Sequence, residues 1–381
     1  MRPIPTTSPD QRAGALLTVD LAAIVENWRL LTRKAAPTCD VGAVVKADAY
    51  GLGLAPIATA LKAAGCKTFY VAHVDEGIAA REALGEGPRI VVLHGPNKGT
   101  ERDFAAFKLA PVLNSPEQIA RWRVFAQTND VLMESLVQID TGMNRLGLTP
   151  RAFAALMDDA DGFVGLHPLA LASHLACADV PNHPMNAAQR RDFQSALETF
   201  RGKFPDAKAS LANSAGLMLG PAFHYHFARP GLALYGANPA PGGTNPMIPA
   251  VRLAAKIVQV RRVDAVAPVG YGATYTAQDG AKLATASIGY ADGLLRALSN
   301  RGHGVIDGIK VPIVGAVSMD LTTFDVSNVP ESSLGPDATV EIIGSHQTVD
   351  DVAKAAGTIS YEILTSLGAR YLRRYICEPT A

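Results

Sequence analysis

The chain has 381 residues, which is long for one ordinary domain and fits two. Hydrophobic residues make up 48% of it and charged residues 18%, a composition that supplies large cores and argues against disorder. The 35 basic and 35 acidic residues cancel, so no excess of positive charge is available to hold a polyanion. These values disfavour nucleic acid as a partner.

The N-terminal residues 1–14 are predicted to form a loose tail. The segment Met1–Gln11 is polar and has no apolar core of the kind found in a secretory signal. The first apolar stretch, Ala13–Val25, contains Asp20 and is too short to span a bilayer. We therefore expect a soluble, cytoplasmic protein with no membrane partner.

From residue 40 to about 240, short apolar runs alternate with amphipathic helical segments, and Ser115 and Thr149 are candidate helix caps. The eight candidate strands are Val41–Lys46, Phe69–His73, Ile90–His94, Ala110–Leu113, Leu136–Asp140, Leu169–His174, Lys208–Ala212 and His226–Arg229. Alternating strands and helices predict a parallel sheet, and eight strands close a (β/α)₈ TIM-type barrel. An open doubly wound sheet is the alternative, although no GxGxxG motif follows the first strand.

Beyond a candidate linker at 239–243, β-rich runs dominate: Val251–Val263, Leu283–Ile288, Val311–Val317, Leu321–Val326 and Thr339–Ile343. One helix is predicted at Asp350–Ala356. The sequence thus predicts an α/β barrel domain over 15–240, followed by a mostly antiparallel β domain over 241–381. The segment Leu16–Asp20 precedes the eight barrel strands, so we expect it to pair elsewhere, with the β domain as the candidate.

Lys46 ends the first predicted barrel strand, at the carboxyl face where barrel enzymes hold their reactive groups. Three apolar residues precede it, which places the amine in a partly desolvated setting. Desolvation lowers the pKa of an amine and makes it a better nucleophile towards an aldehyde. A lysine that simply extends from a strand into solvent is the competing interpretation, and the flanking sequence decides between them.

The stretch that begins at Lys46, Lys-Ala-Asp-Ala-Tyr-Gly-Leu-Gly, resembles the pyridoxal-phosphate (PLP) signature of the alanine racemase family. Seven further segments that resemble this family follow in order: Asp140–Gly147, Ala172–Asp179, Ala212–Gly216, Arg229–Gly236, Val269–Tyr275, Ile288–Arg296 and Val317–Asp320. Each motif alone is weak, but eight in order extend the resemblance over about residues 20 to 375.

The resemblance implies that PLP (pyridoxal 5'-phosphate) is the cofactor and that Lys46 binds it. Arg229 matches the family's partner for the pyridine nitrogen, and His174 is expected to orient it. Since an arginine does not give up its proton, that nitrogen would stay a hydrogen-bond acceptor. The remaining cofactor-binding residues that the resemblance implies are Tyr50, Asn213, Ser214, Gly231, Leu232 and Tyr361.

The resemblance also implies interconversion of L- and D-alanine, with D-alanine supplied to peptidoglycan. Racemisation breaks the Cα–H bond on one face and re-forms it on the other, and one base on each face does this with least motion. The family uses the lysine, here Lys46, and a tyrosine of the partner subunit, here Tyr271. A homodimer with shared active sites follows. Tyrosine is a weak base, so Tyr290 and Arg296 are candidates to assist it. The implied substrate-binding residues are Arg145, Met319 and Asp320.

One position departs from the family pattern. Gln138 stands where the family often has a lysine that carries a carbamate and holds the substrate arginine, here Arg145. A neutral amide supplies no negative charge, so we hypothesise that chloride or a similar anion lies between the two side chains. In the alternative, the amide carbonyl of Gln138 holds Arg145 alone. Elsewhere, His224 and His226 have no evident third ligand, and no metal is predicted.

Three other interpretations stay open from the sequence. A racemase of broader specificity, acting on serine or other amino acids, is hard to distinguish because the size of the side-chain pocket cannot be read from the sequence. A PLP decarboxylase of basic amino acids would share both domains, although its glycine-run phosphate loop is not found. A PLP carrier of the single-barrel type would not need the second domain. Product analysis and an absorbance scan would separate these proteins.

Overall fold

The computed structural model describes residues 6–130 and 134–377. Residues 1–5 of the predicted tail lie outside the described residues. The rest of that segment contains a short helix, Pro9–Arg12, which begins with a capping box between Ser8 and Gln11. Asp10 of this helix forms an ion pair with Arg374 at the other end of the chain.

Eight short parallel strands form the barrel, in chain order: Ala43–Val44, Thr68–Val71, Arg89–Val92, Leu109–Leu113, Glu134–Gln138, His167–Ala172, Lys208–Ser210 and Phe227–Ala228. The eighth strand closes the ring through backbone hydrogen bonds on both sides. The His226 N–H donates to Ala209 O (3.0 Å), and the Gly42 N–H donates to Ala228 O (3.0 Å). Phe227–Ala228 also pairs with a two-residue strand, Asp40–Val41. The predicted barrel is therefore confirmed, with strands shorter than the apolar runs.

Helices surround the barrel: Leu21–Lys34, Leu54–Ala63, Val74–Leu84, Glu101–Ala106, Pro116–Asn129, Pro150–Asp158 and Pro184–Lys203. Both predicted caps are confirmed. The Ser115 hydroxyl accepts from the Gln118 N–H and the Thr149 hydroxyl from the Ala152 N–H, each at 3.2 Å. Each such cap contributes about 1 kcal/mol, which fixes where the helix begins relative to the strand before it.

The second domain is organised around one long strand, Val251–Arg262. It pairs antiparallel with Lys282–Ala286, with Thr339–Ile343 and with the N-terminal strand Ala15–Asp20. The expectation that this N-terminal strand pairs with the β domain is thus confirmed, and its other edge pairs in parallel with Leu372–Ile376.

The remaining β-domain strands are Ala267–Val269, Tyr275–Ala277, His303–Ile306, Ile309–Pro312 and Thr322–Asp325, and its helices are Val349–Ala356 and Ser360–Ser366. The predicted strand at 311–317 was wrong in extent, because Ile309–Pro312 forms a hairpin with His303–Ile306 instead. Asp307 and Gly308, with φ of 47° and 80°, make the two-residue turn.

A buried asparagine ties the chain between the two domains to the barrel. Asn27, on the helix Leu21–Lys34, is 0% exposed. Its amide group donates to Leu234 O (3.1 Å) and Ile248 O (2.8 Å), and its carbonyl accepts from the Ile248 N–H (2.8 Å). Since every polar atom of this side chain is paired, the crossing from barrel to β domain is held in one geometry. Within the described ranges, no helix is both long enough and apolar enough to cross a membrane.

Candidate active site

The chain leaves the first barrel strand in a left-handed turn. Lys46 lies two residues beyond Ala43–Val44, and Ala47, Asp48, Ala49 and Tyr50 all have φ between 52° and 57°. For L-residues this conformation costs roughly 1–2 kcal/mol each, so the turn persists only because its surroundings hold it. Asp48 accepts a hydrogen bond from the Leu54 N–H at 2.7 Å. The turn buries the Tyr50 ring while Lys46 remains partly accessible.

A compact cradle of hydroxyl and backbone groups surrounds the Tyr50 ring. The Ser214 hydroxyl accepts from the N–H groups of Gly231 (3.0 Å) and Ala233 (3.3 Å). The ring centroid of Tyr50 lies 5.8 Å from that of Tyr361. Gly231 approaches so closely that a Cβ there would lie 2.4 Å from Oη of Tyr50. The turns after the last two barrel strands thus create a space of the kind that binds phosphate in barrels.

Two other predicted cofactor residues frame this cradle. Leu232 begins the 3₁₀ turn Leu232–Tyr235, directly after Gly231. The side-chain oxygen of Asn213 accepts a hydrogen bond from the Gly216 N–H (2.8 Å), so this residue shapes the turn itself. Four of the six predicted residues in this group therefore meet around one space: Tyr50, Ser214, Gly231 and Tyr361. Leu232 follows Gly231 directly, and Asn213 shapes the neighbouring turn.

A buried guanidinium lies at the floor of the barrel mouth. Arg229 donates to the Ser173 carbonyl at 2.7 Å and also to the Ser210 hydroxyl. Its Nη2 lies 3.5 Å from Nδ1 of His174. Burial, followed by the charge of Arg229, lowers the pKa of His174 to about 3, so the imidazole is neutral and accepts from the arginine. The predicted pairing of His174 with Arg229 is present.

The charges around Lys46 favour its neutral amine. Burial lowers the pKa of Lys46 first, Arg145 lowers it next and Arg229 adds a smaller effect, while Glu76 opposes them. A lysine with a lowered pKa has more of the free amine that reacts with an aldehyde. Lys46, Arg145 and Arg229 therefore share one electrostatic environment, as the predicted grouping requires.

Gln138 contacts Leu146, the residue after Arg145, but is not paired with Arg145 itself. The Gln138 amide group donates to the Leu146 carbonyl at 3.3 Å. Among the residues that the structure describes, no hydrogen bond joins Gln138 to Arg145. The Arg145 side chain is exposed. The loop itself is fixed by Asp140, which accepts from the N–H groups of Gly142 (2.8 Å) and Met143 (2.9 Å).

The remaining predicted residues lie on the β domain and are exposed. Tyr271 is 77% exposed, Met319 53% and Tyr290 44%. The Tyr290 N–H donates to Ser318 O and the Ala291 N–H to Met319 O, both at 3.0 Å, so two of the predicted segments are held together. Arg296 is also exposed, and in the described part of the chain no hydrogen bond joins Tyr271 to Tyr290 or Arg296.

Asp320 is anchored by an arginine that the sequence analysis did not consider. Arg370 pairs with Asp320 at 2.7 Å and with the buried Asp292 at 2.8 Å. Asp292 in turn accepts from the Gly289 N–H at 2.9 Å, which fixes the turn before Tyr290. Spacing could not reveal this link, because the two ends are about fifty residues apart along the chain.

Several further groups at the barrel mouth were missed because nothing in their local pattern marks them. They are Glu76, Ser173, Ser210 and Tyr235, whose hydroxyl donates to Val44 O at 2.7 Å. His224 and His226 each accept a backbone N–H, from Ala36 and Ala209. Among the described residues, no group of three or more His, Cys, Asp or Glu side chains is arranged to hold a metal.

Taken together, these contacts describe a barrel of the kind found in enzymes, with a cradle suited to an anionic cofactor and with Lys46, whose pKa is lowered, at its mouth. Comparison with known sequences agrees. The alanine racemase N-terminal domain matches residues 19–239, and the alanine racemase C-terminal domain matches residues 250–375. The chain belongs to the alanine racemase family.

Individual relatives cover nearly the whole chain. It is 49% identical to the alanine racemase of Rhodospirillum rubrum over 96% of this chain and 97% of that protein. It is 46% identical to a catabolic alanine racemase of Mesorhizobium japonicum over 96% of this chain and 94% of that protein. The alanine racemase of Bartonella henselae, solved with covalently bound pyridoxal phosphate, superposes with a TM-score of 0.90 at 39% identity, covering 96% of this chain and all of that one.

Proposed function

We propose that this protein is a PLP-dependent racemase that interconverts L- and D-alanine, with Lys46 as the residue that binds the cofactor. The observation that carries the proposal is that Lys46 begins the same turn as Tyr50 of the cradle and has a pKa lowered by burial, Arg145 and Arg229. The names of the relatives supply the substrate.

The residues present fit PLP. The phosphate would lie in the cradle made by Tyr50, Ser214 and Gly231, where backbone N–H groups and hydroxyls converge. The pyridine nitrogen would meet Arg229. In the described ranges none of this arginine's hydrogen-bond partners is a carboxylate, and a buried cation without one costs several kcal/mol. A buried arginine without a carboxylate partner is typical of a site where a ligand accepts its hydrogen bond. A neutral acceptor such as the pyridine nitrogen suits Arg229 best.

When bound, PLP supplies the electron sink that makes the Cα proton of an amino acid removable. Lys46 Nζ then takes or returns that proton on one face, which its lowered pKa favours. Arg145 binds the substrate carboxylate, and Met319 and Asp320 of the partner subunit complete the pocket around it. Tyr271 Oη serves the opposite face.

We place Tyr271 in the active site of a partner subunit, so that the enzyme is a homodimer with two shared sites. This proposal is supported by four large side chains of the β domain that are exposed: Tyr271, Tyr290, Met319 and Leu321. Large side chains left exposed on a monomer in this way are typical of an interface. Since Lys46 lies at the barrel mouth of the same chain, a two-fold arrangement would present Tyr271 of each copy to the barrel of the other.

We propose that chloride, or a similar small anion, lies between Gln138 and Arg145. The Arg145 side chain meets no carboxylate among the described residues, and the Gln138 amide offers no charge. An anion would satisfy the guanidinium and fix its orientation towards the substrate.

For the physiological role we propose cytoplasmic supply of D-alanine to peptidoglycan. A second role, consumption of D-alanine, is favoured by the relatives of Mesorhizobium japonicum and Agrobacterium fabrum, which are named catabolic and are each 46% identical to this chain. Deletion of the gene separates the two roles. A cell that then requires D-alanine for growth used the enzyme for supply, and one that only loses growth on D-alanine as a carbon source used it for breakdown.

The central test is Lys46→Ala, with Lys208→Ala as the control because that lysine is exposed at the opposite end of the barrel. We expect Lys46→Ala to lose both the visible absorbance of lysine-bound PLP and racemisation, while the control keeps both. Racemisation should be measured with alanine and serine, so that a broader specificity is detected. Retention of covalently bound PLP in Lys46→Ala would remove the assignment.

A further inference from the structure

Glu76 makes an unusual set of contacts near the cofactor lysine. It is the third residue of the helix Val74–Leu84 and takes part in its capping box, accepting from the His73 N–H at 3.1 Å. A capping carboxylate usually serves its own helix. This one also accepts from the Ala72 N–H at 2.7 Å and from the Ala47 N–H at 2.6 Å.

The contact with Ala47 joins two different barrel loops. Ala47 is the first residue of the left-handed turn and directly follows Lys46, whereas Ala72 and His73 follow the second barrel strand. The turn has four consecutive residues with positive φ and is intrinsically unfavourable. A charged acceptor forms stronger hydrogen bonds than a neutral one, so this carboxylate is well suited to hold such a turn.

We propose that Glu76 is a positioning residue for Lys46: its carboxylate holds the left-handed turn against the second barrel strand and thereby fixes the direction of the lysine side chain. The inference rests on the proposed role of Lys46. The charge of the Glu76 carboxylate has a second effect. It raises the pKa of Lys46, whereas burial, Arg145 and Arg229 lower it.

Other titratable groups face the same space as Lys46. His94 lies beside His73, with ring centroids 4.5 Å apart, and Lys46 and Arg145 contribute to its lowered pKa after burial and His73. His174 lies two residues beyond the sixth barrel strand, and the charge of Lys46 contributes to its lowered pKa after burial, Arg229 and Arg145. All of these neighbours are neutral or cationic, so loss of the Glu76 carboxylate should move the titration of Lys46 to lower pH.

The experiment compares Glu76→Gln and Glu76→Ala with Asp75→Asn. Asp75 is the neighbouring exposed carboxylate in the same first helical turn, so the control removes an equal charge from the helix N-terminus. Two measurements use the full-length protein freed of PLP: amide hydrogen exchange at Ala47, and the pH profile of Lys46 labelling by an amine reagent, followed by peptide mass spectrometry. Neither needs cofactor or activity.

We expect Ala47 to exchange roughly tenfold to 150-fold faster in Glu76→Ala, the factor that loss of one hydrogen bond to a charged acceptor gives. Glu76→Gln keeps one acceptor oxygen and should exchange at an intermediate rate. In both variants the labelling midpoint of Lys46 should move to lower pH, and in Asp75→Asn neither quantity should move. In the loaded enzyme kcat should fall with little change in KM, because Arg145 binds the substrate.

A role confined to the helix cap gives a different result. It predicts faster exchange only at Ala72, His73 and the first turn of the helix, with Ala47 and Lys46 unchanged, and that outcome would overturn the proposal. Failure of the proposed function is visible separately. If borohydride reduction of the loaded wild-type protein places no PLP on Lys46, the function is wrong, whatever Ala47 does.

Discussion

Gly231 is the position where a single methyl group should do most harm to the cofactor cradle. In Gly231→Ala, the new Cβ would lie 2.4 Å from Oη and 2.9 Å from Cζ of Tyr50, and 3.2 Å from Cβ of Val44. The backbone is not the obstacle, since φ is −127°. Stability is lost because the new Cβ overlaps with the Tyr50 side chain. Either Tyr50 or the chain after the eighth barrel strand must move to relieve this overlap.

Insertion of a methylene into a well-packed region typically costs 1–3 kcal/mol, and we expect about that loss in the free energy of unfolding. For a domain of roughly 150–250 residues this corresponds to about 2–4 °C in Tm per kcal/mol. Displacement of Tyr50 should also weaken PLP retention, because its hydroxyl and the Gly231 N–H shape the cradle. The assays are thermal unfolding of the PLP-free protein and the rate of PLP loss on dilution.

Two companion variants make the result interpretable. Gly202→Ala is the control, because a Cβ there meets nothing within 4 Å and the residue lies in the helix Pro184–Lys203, so we expect no loss and a gain of at most about 1 kcal/mol. Tyr50→Phe removes the atom nearest to the new Cβ. Combined with Gly231→Ala it should cost less than the sum of the two single changes, a coupling expected between residues in contact. If Gly231→Ala unfolds at the wild-type temperature and holds PLP as well, the reasoning about this contact is refuted.

The other predictions concern the second face and the anion. Tyr271→Phe should damage proton removal from one enantiomer far more than from the other, which deuterium washout from L- and D-alanine measures; equal loss in both directions would favour a single base. A mixture of inactive Lys46→Ala and Tyr271→Phe proteins should regain activity as heterodimers form, and no recovery after verified subunit exchange argues against shared sites. Replacement of chloride by acetate or sulfate at matched ionic strength should raise KM more than it lowers kcat, since the proposed role of Arg145 is to bind the substrate. An unchanged KM, with no anion density between Gln138 and Arg145 in a crystal, would contradict the anion site.

The sequence by itself predicted the fold class, which the structure confirms, and it supplied Lys46 as the proposed reactive lysine. Strand and helix periodicities in the barrel are local properties, because each short apolar run and each cap acts within a few residues, as at Ser115 and Thr149. The order of the motifs then named the family, and the comparisons confirmed it.

Local patterns were less reliable in the β domain. The strand near residue 311 ends where its pairing with His303–Ile306 ends. The strand Leu372–Ile376 pairs with Ala15–Asp20 at the other end of the chain, so neighbouring residues could not indicate it. The hairpin turn at Asp307-Gly308, by contrast, depends on two adjacent residues, because an Asp-Gly pair favours its positive φ values.

Only the tertiary structure decided how the lysine is held. No spacing rule connects Glu76 to Ala47, Arg370 to Asp320 or Tyr235 to Val44, since each pair is joined by a hydrogen bond or ion pair between segments that meet only in the folded chain. The left-handed turn after Lys46 is a further case. Its four residues are not glycines, so their own preferences favour another conformation, and only the packing around them selects this one.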